Sequence, residues 1–140
     1  MTEKRYMEME GACVCGKVRF KAQKVDLHAG ACHCSTCRNW GGPYMAVDCG
    51  RAVEFENEDS IKVYDSSMWA ERGFCSNCGS HLFYRLKESG QYGMSVGLFD
   101  PKDFEFDHQY FIDQKPAFYS FANKTNDLTG PELFAKFGAE

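Results

Sequence analysis

The chain has 140 residues, 44% hydrophobic and 26% charged, with a formal net charge of −4. That length suits one domain with a sizeable core, and the composition excludes wholesale disorder. No run of about 18 apolar residues is present, which excludes a membrane-spanning helix, and the negative charge is a poor start for nucleic-acid binding.

The opening MTEKRYMEME has neither an apolar core nor a small-residue cleavage site, so no secretory leader is expected and the compartment predicted is the reducing cytoplasm. Residues 1–12 lead into a first cysteine pair, Cys13-x-Cys15. The stretch Lys17-Val18-Arg19-Phe20-Lys21-Ala22 alternates with the period of a half-buried strand. Residues 28–33 carry the chain to a second cluster, Cys32-x-Cys34-x-x-Cys37. There Ser35 to Trp40 has the length of a short helical turn, stopped by Gly41-Gly42-Pro43. Tyr44 to Asp48, Val53 to Glu56 and Ile61 to Tyr64 read as short strands, rich in β-branched and aromatic residues. Met68 to Phe74 is another candidate, ending at a third cluster, Cys75-x-x-Cys78. Leu82 to Leu86, then Tyr92 to Leu98 (interrupted by Gly93 and Gly97), then Gln109 to Asp113 follow as strands. Only Pro131 to Phe137 looks helical, with Pro in its first turn. Many short strands and almost no helix predict one mainly β, antiparallel domain spanning 1–140 and built around metal.

Cysteine is the compositional outlier, at 8 residues. Seven of them fall in the three tight clusters, and residues two or three apart in a turn aim their sulfurs at one point, which suits a metal better than disulfides. The eighth, Cys49, stands alone and reads as simple packing. Seven ligands divide into four plus three. A structural site closes with four protein ligands, whereas a catalytic one keeps three and an open position. The CxC and CxxC pairs supply two ligands each, so Cys13, Cys15, Cys75 and Cys78 close one site. Cys32, Cys34 and Cys37 then hold a second metal with room for a guest. Soft thiolates suit zinc, or iron in rubredoxin-like or cluster sites, and availability and lack of redox partners put zinc first.

The runs G-A-C-V-C-G-K-V-R-F, A-C-H-C-S-T-C-R-N-W-G-G and R-G-F-C-S-N-C-G-S, in that order, resemble the glutathione-dependent formaldehyde-activating enzyme family, which also includes the centromere-protein-V type domains. The segments G-L-F-D-P-K-D-F and H-Q-Y-F-I-D-Q-K-P-A-F-Y resemble its C-terminal half, so the likeness covers about residues 9–121 and leaves 122–140 as an extension. The resemblance implies a β-tent of small antiparallel sheets, stapled by a structural zinc on Cys13, Cys15, Cys75 and Cys78. It also implies a second zinc on Cys32, Cys34 and Cys37. The implied activity is condensation of formaldehyde with glutathione to S-(hydroxymethyl)glutathione, a carbon–sulfur lyase reaction in reverse. The implied partners are a small thiol and a small aldehyde, with no nucleic acid and no membrane. His81 and Phe118 depart from the family pattern and leave the substrate open.

An open three-thiolate site suits positioning of a guest thiolate more than polarising a carbonyl, because three thiolates already donate strongly to the metal. Arg38, next to Cys37, is a candidate anchor for a glutathione carboxylate, a donor to the cluster sulfurs, or a surface residue. Arg72 and Arg85 are weaker candidates for that anchor and read first as surface or ion-pair residues. In an extended CxC the side chain of His33 points away from the flanking sulfurs; it reads first as surface, then as cavity wall or proton relay, and last as a metal ligand. His28, His81 and His108 read as structural or solvated, and Asp100 and Asp113 as caps before general bases. Trp40, Tyr44 and Phe74 read as core, or else as cavity wall. Gly41-Gly42 allows close backbone approach beside the metal. Two other classes of function compete with the enzyme: a zinc-bearing interaction module, and a thiol redox sensor that ejects metal on oxidation.

Overall fold

The computed structural model describes residues 5–137. In chain order its elements are β1 (Tyr6–Ala12), β2 (Arg19–Asp26), β3 (His28–Cys32), α1 (Ser35–Trp40), β4 (Tyr44–Gly50), β5 (Val53–Glu56), β6 (Ile61–Tyr64), β7 (Ala70–Cys75), β8 (His81–Leu86), β9 (Tyr92–Ser95), β10 (Glu105–Tyr110), β11 (Asn126–Leu128) and α2 (Gly130–Phe137). They form a three-stranded sheet, β1-β2-β5, and an eight-stranded sheet, β11-β10-β3-β4-β9-β8-β7-β6. The mainly β, antiparallel expectation is met. The larger sheet adds parallel pairings of β10 with both β3 and β11. No helix among the described residues is long and apolar enough to cross a membrane.

The strands missed by the sequence reading were missed for physical reasons. β1 is largely exposed and charge-bearing; its ladder to β2, a Lys21–Glu8 ion pair of 3.4 Å and Met9 packed on the core hold it, with no regular apolar alternation to announce it. β3, His-Ala-Gly-Ala-Cys, has no β-branched residue because it is the buried middle of the larger sheet, where small residues leave room for the neighbours' side chains. β7 starts at Ala70 instead of Met68: Ser67 Oγ accepts from Ala70 N at 3.1 Å in a tight turn, and Met68 is 91% exposed. The late strand is Glu105–Tyr110, ended by Phe111 in the left-handed region at φ 55°.

Pleat alternation gives the larger sheet two unlike faces. On one, Ala29, Val47, Cys49, Phe83 and Met94 pack with Val18, Phe20, Ala22 and Val25 of the smaller sheet. Aromatic contacts lock this core, with Phe20 edge-on to Phe99 at 5.3 Å and Phe83 edge-on to Tyr92 at 5.0 Å. Cys49 is fully buried here, as packing requires. On the other face the sheet walls a cavity.

Candidate metal centres and cavity

Cys13, Cys15, Cys75 and Cys78 come together with all four sulfurs within 4.8 Å of one another. Two turns make this possible. Gly16, at φ 77°, donates its N–H to Cys13 O, and Gly79, at φ 79°, donates to Cys75 O; each turn needs a left-handed residue that glycine adopts without strain. The turns aim backbone N–H groups at sulfur: Val18 N donates to Cys13 Sγ at 3.4 Å and Cys78 N to Cys75 Sγ at 3.5 Å. Ser80 Oγ lies 3.2 Å from Cys78 Sγ, and hydrogen bonds led by this one hold that thiol down at about 5. The Cys13–Cys15 and Cys15–Cys75 sulfur separations are 3.5 and 3.8 Å. A disulfide needs about 2.05 Å. A tetrahedral metal–thiolate site with bonds of about 2.3 Å places its sulfurs about 3.8 Å apart, which these cysteines match.

The second cluster is built from one short segment. Cys32 ends β3, Cys34 caps α1 and Cys37 lies in its first turn, with the three sulfurs also within 4.8 Å. Cys37 N donates to Cys34 Sγ at 3.4 Å. Hydrogen bonds among the sulfurs split their acidities: donation from Cys32 and then Cys37 drives Cys34 down, while donation toward Cys34 drives Cys32 up. Three adjacent thiols cannot all ionise unaided; a dication removes that like-charge cost. Both clusters are therefore suited to hold a metal ion. Gly42 passes so close to Cys37 that a Cβ would lie 2.8 Å from its carbonyl oxygen, so this loop needs glycine.

Beside the trio lies a cavity of about 540 Å³ on the non-core face of the larger sheet. Cys32, Cys34 and Cys37 line it, with Tyr44, Tyr84 and Arg72. Leu133 and Phe134 of α2 wall its far side, where Phe134 rests on Phe111 at 5.9 Å between ring centres. Asp113 accepts from Gly130 N at 2.9 Å and so anchors that helix; Asp100 caps the turn 101–103, as expected.

Arg72, read from the sequence first as a surface or ion-pair residue and only weakly as a substrate anchor, lies instead inside the protein against the open cluster. It is buried, and Nη2 donates to Cys37 Sγ at 3.3 Å. Its guanidinium carbon lies 5.2 Å from the Tyr84 ring and 5.9 Å from those of Trp40 and Tyr44. Nε and Nη1 have no hydrogen-bond partner among the described residues. Position in β7, opposite Tyr84 in β8, fixes this; only the topology reveals it.

Arg38 sits differently. It is exposed, does not line the cavity, and its Nε donates to His33 O at 2.9 Å, bracing the CxC backbone. His33 points away from the sulfurs but into the protein, not onto the surface: it is fully buried. Gln109 Oε1 accepts from its Nε2 at 2.7 Å, and Tyr119 O–H donates to its Nδ1 at 2.8 Å. Arg85 pairs with Glu71 at 3.3 Å, the ion pair expected. His81 is wedged between Trp40 and Tyr44, 4.9 and 4.7 Å away. Trp40 touches Phe74, His81 and Arg72 as packing behind the cavity. Phe118 is 86% exposed and takes no part.

Three similarities bear on what this arrangement is. An uncharacterised lyase of Schizosaccharomyces pombe is 37% identical over 129 residues, covering 90% of this chain and 94% of that protein. A putative glutathione-dependent formaldehyde-activating enzyme of Talaromyces marneffei is 26% identical over 119 residues, covering 79% of this chain and 59% of that one. A crystal structure of a Rhodobacter sphaeroides protein superposes with a TM-score of 0.56 at 25% identity, over 68% of this chain and 94% of that one. The family model described as glutathione-dependent formaldehyde-activating enzyme matches residues 8–114, which include both cysteine clusters and Arg72 but not α2. The chain belongs to the glutathione-dependent formaldehyde-activating enzyme family.

Proposed function

We propose that the protein is a zinc-dependent carbon–sulfur lyase that forms or cleaves S-(hydroxymethyl)glutathione-like adducts of a small thiol and a small aldehyde. The observation that carries this reading is the incomplete donor set. Three cysteine sulfurs converge at a cavity wall, and no fourth Cys, His, Asp or Glu among the described residues joins them. The four-thiolate site is the structural one: a zinc held by Cys13, Cys15, Cys75 and Cys78 would tie residues 13–15 to the β7–β8 hairpin. At the open site, bound zinc supplies the positive charge that keeps a guest sulfur ionised at neutral pH.

The remaining contributions come from the chain. Tyr44 and Tyr84 supply flat, largely apolar walls that bring thiol and aldehyde into register; holding two reactants together is itself a large source of rate. Arg72 places a fixed positive charge beside Cys37 and keeps the thiolate-rich wall from repelling an electron-rich guest. Among the described residues Arg38 uses only Nε, on His33 O, and we assign its other donors to a carboxylate of a glutathione-sized thiol. The names of the family and of the Talaromyces relative support formaldehyde and glutathione as the pair.

Exchange spectroscopy of formaldehyde with glutathione tests the proposal. The protein is expected to accelerate exchange above the spontaneous rate, and Cys34→Ser to abolish the acceleration. Equal, uncatalysed rates for both proteins would refute it.

A further inference from the structure

The same cavity holds a polar group that the thiolate chemistry leaves unused. Asp107 bridges two imidazoles. Its Oδ1 accepts from His108 Nδ1 at 2.7 Å, and its Oδ2 lies 2.8 Å from His28 Nδ1, outside hydrogen-bond alignment. Both histidines line the cavity. A shift of register between Phe106 and His108, where β10 pairs with β3, sets this up by letting consecutive residues serve one cluster.

The placement of His108 is specific. Its ring occupies the space a side chain at position 30 would need: a Cβ on Gly30 would lie 2.0 Å from His108 Nε2. Gly30 and Cys32 share a strand face, one pleat repeat or about 6.6 Å apart. The imidazole therefore stands on the face that carries the open cluster, about one small substrate away from it. A carboxylate only accepts, so Asp107 requires the proton of neutral His108 to sit on Nδ1. Nε2 is then a bare acceptor, and it has no hydrogen-bond partner among the described residues.

We propose that His108 is a catalytic acid–base in this cavity, carrying the proton between substrate sulfur and substrate oxygen, with Asp107 as its positioning residue. The inference rests on the lyase reading above. In the forming direction the entering thiol's S–H bond breaks as it settles beside the open cluster, and Nε2 takes the proton that the sulfur releases. A sulfur lone pair makes the C–S bond, the carbonyl π pair moves to oxygen, and Nε2 returns the proton there. Cleavage is the reverse, with nothing oxidised or reduced. One proton serves both steps, so a group that gives back what it takes suffices.

The test uses the zinc-loaded full chain with formaldehyde and glutathione. His108→Ala is expected to lower kcat on the order of 100-fold, the usual worth of a positioned acid–base, with KM and zinc content little changed. Added imidazole restores part of the loss. Nitrogen-15 spectra of histidine-labelled wild type should show His108 with Nδ1 protonated and Nε2 bare, a pattern that Asp107→Asn disturbs. Gly30→Ala, which evicts the ring without touching it chemically, should reproduce the loss. A wild type that accelerates exchange beside an equally active His108→Ala overturns the role of His108 alone. So does an inactive, folded and zinc-replete His108→Ala that imidazole leaves unrevived, or an Nε2-protonated ring. A wild type inert toward this pair overturns the lyase reading, and this role with it.

Discussion

The two cysteine clusters share one donor chemistry and differ in everything around it. In the first, ligands from two segments 60 residues apart meet from opposite sides, and backbone N–H groups face the sulfurs. In the second, all three sulfurs come from one run of six residues, Cys32 to Cys37, and no remote Cys, His, Asp or Glu among the described residues joins them. What faces them is a cavity and the side chain of Arg72. Enclosure follows from how far apart in sequence the ligands lie. Two segments supply four sulfurs, enough to complete a tetrahedron; one segment supplies three and leaves a position for a guest.

That contrast is broken most severely at the closed site. Cys75→Ser should unfold the domain or lower its melting temperature drastically, because a structural zinc can contribute on the order of 10 kcal/mol. Cys34→Ser should keep the fold and lose one metal per chain. Paired melting curves and metal analysis read both outcomes, and equal destabilisation by the two variants would dissolve the distinction.

His33 is the next largest lever, since it backs the open cluster from the protein side. His33→Ala leaves Gln109 and Tyr119 without their buried partner, and should cost about 2–4 kcal/mol in denaturant unfolding. Little change would mean that this network does not hold the CxC loop. Arg72→Met should lower turnover or affinity for the second metal by about tenfold, in line with other groups that buttress metal ligands. Its melting temperature should stay near that of wild type, because the apolar stem still fills the space behind the rings.

The last effect is a pH dependence. Burial, helped by the charge of Arg72, pulls His81 down to about 4 from the usual 6.5. The unfolded chain takes up this proton near 6.5, whereas the folded one resists to about 4. The neutral ring thus contributes stability above 6.5 that is lost as the pH falls through that window. His81→Phe should flatten the fall in melting temperature between pH 7 and 4.5 relative to wild type; identical slopes would show that His81 is neutral for other reasons or is not buried.

The chemistry of this protein was more legible in the sequence than its architecture. Cysteine pairs at CxC and CxxC spacing carry their own geometry, and counting ligands separated four from three before any contact was known. β3 was not legible, because the small residues that let His108 lie over Gly30 give no strand signal of their own. Neither was the cavity role of Arg72: the Arg-Gly-Phe run before Cys75 does not say which face its arginine takes. His33 shows the boundary well. That its ring turns from the sulfurs follows from an extended CxC, but the partners it turns toward lie 76 and 86 residues away. Long-range parallel pairing of β10 with β3 supplies that environment, and no local pattern announces it.

Cadmium-113 resonance of the chain loaded with two cadmium ions tests the unequal enclosure most directly. Two signals are expected, one from a four-sulfur and one from a three-sulfur environment. On titration with glutathione, only the second should move, toward the four-sulfur position. Two four-sulfur signals before any thiol is added, or a thiol that shifts both signals or neither, would contradict the account.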